Sequence, residues 1–174
     1  MPRITLETKR LILRPFEIND AESMFNNWAK DQEVTKYLTW CPHQSIDETV
    51  IIINKFIERA NSANLYSFGI VVKEENKLIG SIDVVGLEDG IPVIGYCMSK
   101  AYWNKGIMTE ACQKIVDFLF SIGYNKIRID AVKENIGSNR VIQKCGGVLF
   151  NTEEEYFKQK DQTFTVNQYY INKE

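Results

Sequence analysis

Between Tyr66 and Ile122 the chain passes through three short stretches rich in β-branched and aromatic residues, at 66–73, 78–85 and 92–98, straight into one long amphipathic stretch that opens at Gly106. The breaks between the three stretches carry Glu75-Asn76 and Asp89-Gly90, which suit tight turns, so the pattern predicts an antiparallel meander. The amphipathic stretch places Ile107, Ala111, Ile115, Phe118, Leu119 and Ile122 on one side, with Gly123 at its end as a C-cap. Strands that feed such a helix must bury its apolar side against the sheet. That restricts the chain to a layered α+β architecture.

The flanks extend the same reading. Arg10 to Phe16 alternates like a first strand, and Asn19 or Asp20 then caps a helix whose Ala21, Met24, Phe25 and Trp28 share a face. Ser45-Ile46-Asp47-Glu48 fits a capping box, and Thr49, Ile52, Ile53, Phe56, Ile57 and Ala60 form the stripe of a helix ending between Ala60 and Ser62. After the meander and its helix, Lys126 to Val132 reads as a half-buried strand. Asn135 caps a short helix with Val141, Ile142 and Cys145 inward, stopping at Gly146-Gly147. Val148 to Phe150 and Thr163 to Ile171 read as closing strands. The sum is a mixed, mostly antiparallel sheet of about seven strands with four helices. No repeat or linker breaks the sequence, so residues 1–174 are expected to form a single domain.

Composition removes several functional classes. With 21 basic against 23 acidic residues and a net charge of −2, no overall positive field holds a nucleic acid. The apolar runs at Val50–Ile53 and Ile70–Val72 are too short to span a membrane, and the first ten residues are too charged for a signal peptide. A soluble, cytoplasmic protein is expected. Cys41, Cys97, Cys112 and Cys145 include no Cys-x-x-Cys pair and read as reduced thiols, so no structural metal is expected. His43, beside Pro42, is the single histidine, and on residue grounds it reads as a solvent-exposed loop imidazole.

Two segments carry chemistry. In Ile94 to Ala111 a strand enters a loop, and the loop enters a long helix with Gly106 at its first turn. Free N–H groups then converge at the positive end of the helix dipole, with Lys105 at the rim, which suits an anion and equally suits an ordinary helix start. In Asn135 to Gly146, Arg140 and Lys144 share a helical face. Beside an anion site two such cations suit a ligand with several phosphates; alone they read as a solvated face, and Asn135 as a simple cap.

Tyr102-Trp103-Asn104-Lys105-Gly106-Ile107-Met108-Thr109-Glu110-Ala111, followed by Asn135-x-x-Ser138-x-Arg140-Val141-x-x-Lys144-x-Gly146, resembles the GNAT superfamily of acetyl-CoA-dependent N-acetyltransferases. With the opening Leu6 to Pro15 it is similar, more narrowly, to the branch that holds the ribosomal-protein N-terminal acetyltransferases. The resemblance implies a GNAT fold, acetyl-CoA as co-substrate, no metal, and an amine as acceptor. It implies that main-chain amides of Lys105, Gly106, Ile107, Met108 and Thr109, with Asn104 adjacent, hold the pyrophosphate. Tyr96, Cys97 and Met98 would splay from the neighbouring strand and pair with the pantetheine arm. Asn135 would meet the pantetheine or phosphate region, Ser138 would lie near the sulfur as an acid, and Arg140 and Lys144 near the phosphates. Trp28, Trp40 and His43 would line the acceptor side. The sequence departs from the pattern at Trp103 and Met108, where relatives carry Gln or Arg and Gly or Ala, and it lacks a carboxylate between Pro92 and Tyr96 where many relatives keep a base.

The expected reaction is direct attack of a neutral amine on the thioester, with the oxyanion met by a strand N–H and the thiolate protonated by Ser138, a tyrosine or water. Cys145 faces inward and reads as a packing thiol. Asp83, Glu88 and Asp89 are candidates to take the amine proton and equally read as solvated turn residues. An α-amine of pKa near 8 is about one tenth neutral at pH 7, a lysine only about 0.04%, so a weak base favours a peptide N-terminus or a small amine of modest pKa, without choosing between them. Two alternatives stay open: a CoA-binding or sensing domain without turnover, and an acetyltransferase acting on a small amine such as a polyamine, amino acid or aminoglycoside. A monomer or a homodimer is expected.

Overall fold

The three central strands are present; the first is one residue shorter than expected at each end, and the other two run further than expected into the turn they share. The strands are β1 (Leu6–Glu7), β2 (Leu11–Arg14), β3 (Ser67–Val72), β4 (Lys77–Glu88), β5 (Ile91–Met98), β6 (Lys126–Val132), β7 (Val148–Phe157) and β8 (Gln162–Asn172). In a computed structural model, which describes residues 4–61 and 65–174, they form one sheet of 8 strands in the order β1-β2-β3-β4-β5-β6-β8-β7. Asp89 (φ 49) and Gly90 (φ 81) are both left-handed and close the β4–β5 hairpin, the geometry that matches the natural twist of paired strands.

The α-helices are α1 (Ala21–Met24), α2 (Gln32–Thr35), α3 (Ile46–Ala60), α4 (Ile107–Ser121) and α5 (Ile136–Lys144), and a π-helical turn at Phe25–Ala29 continues α1. Among the described residues eight strands and five α-helices replace the expected seven and four. The additions are the two-residue edge strand β1, too short to show a period, and α2, a single turn whose Asp31 cap accepts from the Glu33 N–H. Asp20 stands at the N-cap position of α1, as expected, but its side chain caps no N–H of that helix; it accepts the Glu17 N–H, at the start of a short 3-10 turn over Ile18–Asp20, and both ends of the Arg14 guanidinium fork. Ser45 caps α3 as expected, accepting the Glu48 N–H at 3.3 Å, but the Glu48 carboxylate reaches back to Gln44. The helix ends at Ala60, and Ser62 lies outside the described residues. Gly123 (φ 110) follows the cap residue Ile122 of α4 and turns the chain away. β7 runs seven residues past the expected Phe150, because Asn151 to Glu155 is a polar run with no alternation, held at the sheet edge by β8 alone.

One face of the sheet takes α4 and α5: Leu11, Ile70, Ile79 and Ile82 are packed with Ile115, Leu119 and Ile142 in a single apolar cluster. The other takes α1, the π-helical turn and α3, with Phe16, Met24, Trp28, Ile53 and Leu78 together. Each such side chain, fully removed from water, contributes about 1.5–3 kcal/mol. Among the described residues only β5 and β6 run parallel, and they meet at just two pairs, Val93↔Arg128 and Ile94↔Ile129. On its other side β5 stays paired with β4 as far as Met98. The sheet therefore opens into a wedge beyond Ile94, and the backbone of residues 95–98 borders it.

Candidate active site

The wedge points at the start of α4. Asn104 (φ 58) and Gly106 (φ 71) are both left-handed, so the chain doubles back just before the helix begins. The first bond across this turn runs from the Glu110 N–H to the Gly106 carbonyl, which leaves the N–H groups of Ile107, Met108 and Thr109 without helical acceptors. The side chains of Ile107 and Met108 are buried in the core, so these residues offer a ligand only their main chain. A Cβ at Gly106 would meet nothing closer than Arg10 Nη2 at 3.6 Å; the positive φ, not crowding, is what asks for glycine. Lys105 is exposed, its ammonium 5.3 Å from the centre of the Tyr102 ring. Trp103 donates its indole N–H to the Met98 carbonyl at 2.9 Å and so ties the turn to the end of β5.

A latch holds the turn from the far side. Glu110 accepts from Thr8 Oγ1 at 2.6 Å, from the Arg10 N–H at 2.9 Å and from Arg10 Nε at 2.6 Å, while Arg10 Nη1 donates to the Lys105 carbonyl at 2.9 Å. Burial works against the Glu110 carboxylate, but the bonds from Thr8 and Arg10 outweigh it and hold its pKa below the ordinary value.

Along β5, alternate side chains go to opposite faces. Tyr96 turns to the α5 side, where its hydroxyl lies 3.0 Å from Ser138 Oγ and also donates to the Ser138 carbonyl at 3.3 Å. Burial pushes the Tyr96 phenol well above its usual pKa, with the Ser138 bond opposing. Asn135 caps α5, accepting the Ser138 N–H at 3.3 Å, and Arg140 and Lys144 are exposed on that helix. Asn139, which the sequence did not mark, is buried and anchors α5: it donates to the Val132 carbonyl, and its oxygen accepts from Asn167 and from the Tyr169 hydroxyl. Cys145 is buried, its thiol 3.6 Å from the Thr109 carbonyl, as a packing residue should be.

Cys97 turns the opposite way, toward the α1 and α3 side, so of the three β5 residues Tyr96 and Met98 share one face and Cys97 the other. Burial pushes its thiol up to about 12, with the Ser81 hydroxyl opposing. Beside it stands Asp83, 7% exposed, accepting from Ser81 Oγ at 3.1 Å. Burial raises the Asp83 carboxyl to about 7, against the pull of Ser67, Ser81 and Arg59. Trp28 is fully buried, in the core beneath this face, and presents no surface to an acceptor. Trp40 is half-buried with the His43 ring 5.2 Å away, so these two stay together in the loop before α3. His43 is half-buried rather than solvent-exposed: its Nδ1 lies 2.7 Å from Thr49 Oγ1, and burial lowers its pKa, with Glu48 opposing. Sequence reasoning missed the latch, whose halves lie a hundred residues apart, and the serines around Asp83, which only the strand register brings together.

Among the described residues no group of His, Cys, Asp and Glu is placed to hold a metal ion. The family model described as an acetyltransferase (GNAT) domain matches residues 10–148. An uncharacterized N-acetyltransferase p20 of Bacillus licheniformis is 30% identical over 165 residues, covering 93% of this chain and 92% of its own. Two solved structures share the fold. The ribosomal L7/L12 alpha-N-protein acetyltransferase RimL in complex with coenzyme A superimposes with a TM-score of 0.86 at 19% identity, covering 97% of this chain and 98% of that one. The microcin C7 self-immunity acetyltransferase MccE in complex with acetyl-CoA and AMP gives 0.83 at 20%, covering 95% and 94%. A match over most of the chain, on a sheet that splits where the helix-opening turn points, makes this chain a member of the GNAT acetyltransferase family.

Proposed function

We propose that this acetyltransferase acts as one domain over residues 1–174, moving an acetyl group from acetyl-CoA to the α-amine of a peptide or protein N-terminus, in the manner of the ribosomal-protein branch. The carrying observation is the meeting of two features: the left-handed turn at Asn104 and Gly106 before α4, and the wedge that opens past Ile94 and Ile129. The turn suits a diphosphate, because its N–H groups lack helical acceptors. The free backbone of residues 95–98 suits an extended amide-bearing arm. Bound there, acetyl-CoA supplies an activated acetyl thioester. The Lys105 ammonium and the exposed Arg140 and Lys144 offer charge to phosphates, Tyr96 orients the Ser138 hydroxyl toward a departing sulfur, and the loop with Trp40 and His43 flanks the acceptor side. Four free cysteines suit the reducing cytoplasm.

The test is calorimetric binding of acetyl-CoA, followed by CoA release over a panel of N-terminal peptides, lysine peptides and small amines. Binding with turnover fastest on α-amines is the expected result; binding with no turnover on any amine would contradict it. Gly106→Glu places a carboxylate at the diphosphate and a strained side chain at φ 71, and should abolish cofactor binding. Unchanged binding in that variant would show that the diphosphate sits elsewhere.

A further inference from the structure

One register row crosses three strands on the α3 side of the sheet: Ser67 pairs with Asp83, and Asp83 pairs with Gly95. Gly95 is the first residue of β5 past the last pair with β6, so the row ends at the lip of the wedge. A Cβ at Gly95 would meet only Val85 Cγ1, at 3.0 Å. No side chain of its own therefore stands between Asp83 and the wedge. Asp83 Oδ2 accepts from Ser81; among the described residues Oδ1 makes no hydrogen bond of normal geometry, and neither does Ser67 Oγ, which stands beside it in the row close enough to favour the charged carboxylate. Polar oxygens that are more than nine-tenths buried and unpartnered ask for a ligand. Other carboxylates on the same face are engaged: Glu88 and Asp130 with Arg128, Glu153 and Glu155 with the Gln168 amide.

We propose, resting on the acetyl-transfer reading, that Asp83 is the catalytic residue that takes the proton from the incoming ammonium, and that Gly95 is the opening through which the amine reaches it. The ammonium gives one proton to Asp83 Oδ1, leaving a neutral amine and a neutral carboxyl. The nitrogen lone pair then forms the C–N bond to the thioester carbonyl carbon and the C–S bond breaks. The second nitrogen proton passes to the sulfur on the Ser138 side, so the products are the amide and the free thiol, and Asp83 returns its proton to water. Adjacent β5 residues thus open to proton acceptor and proton donor on opposite faces of one sheet. The groups facing Asp83 are Arg59 from α3, Ser67 from β3, Ser81 from its own strand, and the neutral thiol of Cys97 from β5. A carboxyl held near 7 meets the demand for a base matched to neutral pH. Its proton transfer from an α-ammonium runs about tenfold uphill, against more than a thousandfold from a lysine ammonium, which selects the N-terminal acceptor.

The deciding experiment measures kcat/KM against pH for wild type and Asp83→Asn, with an N-terminal peptide and with an arylamine that is already neutral at pH 7. For the peptide we expect a loss of about 10²–10⁴-fold and disappearance of the limb near pH 7, with the arylamine changed only a few-fold and acetyl-CoA binding unaltered. Equal loss on both amines, or an unchanged pH profile, would overturn the role of Asp83. Gly95→Val, which leaves the carboxylate itself unchanged, should raise the peptide KM about tenfold when measured at saturating acetyl-CoA; an unchanged KM would overturn the opening. A wild type inactive on every amine would instead bring down the acetyl-transfer reading itself.

Discussion

Asp83 is a carboxyl kept at the centre of a sheet face, and its burial has a thermodynamic signature separate from any catalytic one. Its pKa is about 7 in the folded chain, against an ordinary 3.8. Below pH 4 it is protonated folded or unfolded. Between 4 and 7 the folded state keeps a proton that the unfolded state releases, so stability falls as pH rises through that window and stays low above it, by roughly 4 kcal/mol. Urea unfolding should show Asp83→Asn more stable than wild type by up to that amount at pH 8 and equal to it at pH 4; a gain of the same size at both pH values would contradict the burial argument. Ser138 makes the complementary prediction. In Ser138→Ala the Tyr96 hydroxyl keeps its bond to the backbone carbonyl, so the site should persist while kcat falls at least tenfold with acetyl-CoA affinity intact. The spacing of Asn135 and Ser138 was legible because a cap and a first-turn hydroxyl are local. The surroundings of Asp83 were not, since three strands far apart in sequence must be brought into register before Ser67, Asp83 and Gly95 become neighbours.

At the scale of elements, α4 is the piece whose start matters most, and its position does not depend on its own sequence alone. Gly106 and the apolar stripe announce the helix, but the turn before it is held by Glu110 gripping Thr8 and Arg10 from the β1–β2 turn. Glu110→Ala removes three hydrogen bonds, one of them from a guanidinium that is 43% exposed, so the expected cost in stability is modest, about 1 kcal/mol. The larger expected effect is on function: a turn freed from its latch should bind acetyl-CoA several-fold more weakly, measurable by calorimetry, and an unchanged Kd would show that the turn holds its shape without help. β7 is the opposite case. Its Asn151 to Glu155 run carries no apolar alternation, because an edge strand with Thr152, Glu153 and Glu154 bonded to side chains of β8 needs none.

For the whole molecule, the decisive fact is that a mostly antiparallel sheet contains one parallel pair and that this pair is nearly undone. A parallel neighbour requires a crossover, and α4 is that crossover, so the helix leaving β5 must begin at the same edge where β5 and β6 part. The cleft and the turn that faces it are consequences of one connection. The alternation of strands and helices was readable from periodicity; the split was expected only through the family resemblance, because nothing local in residues 95–98 distinguishes them from the rest of a strand. The most direct measurement is a backbone amide NMR titration with acetyl-CoA. We expect the largest saturable shifts at the amides of residues 105–109 and 96–98, with the remote edge strand β7 undisturbed. Saturable binding whose shifts fall elsewhere, with those amides unmoved, would contradict a diphosphate held by the α4 turn and a thioester lying in the wedge.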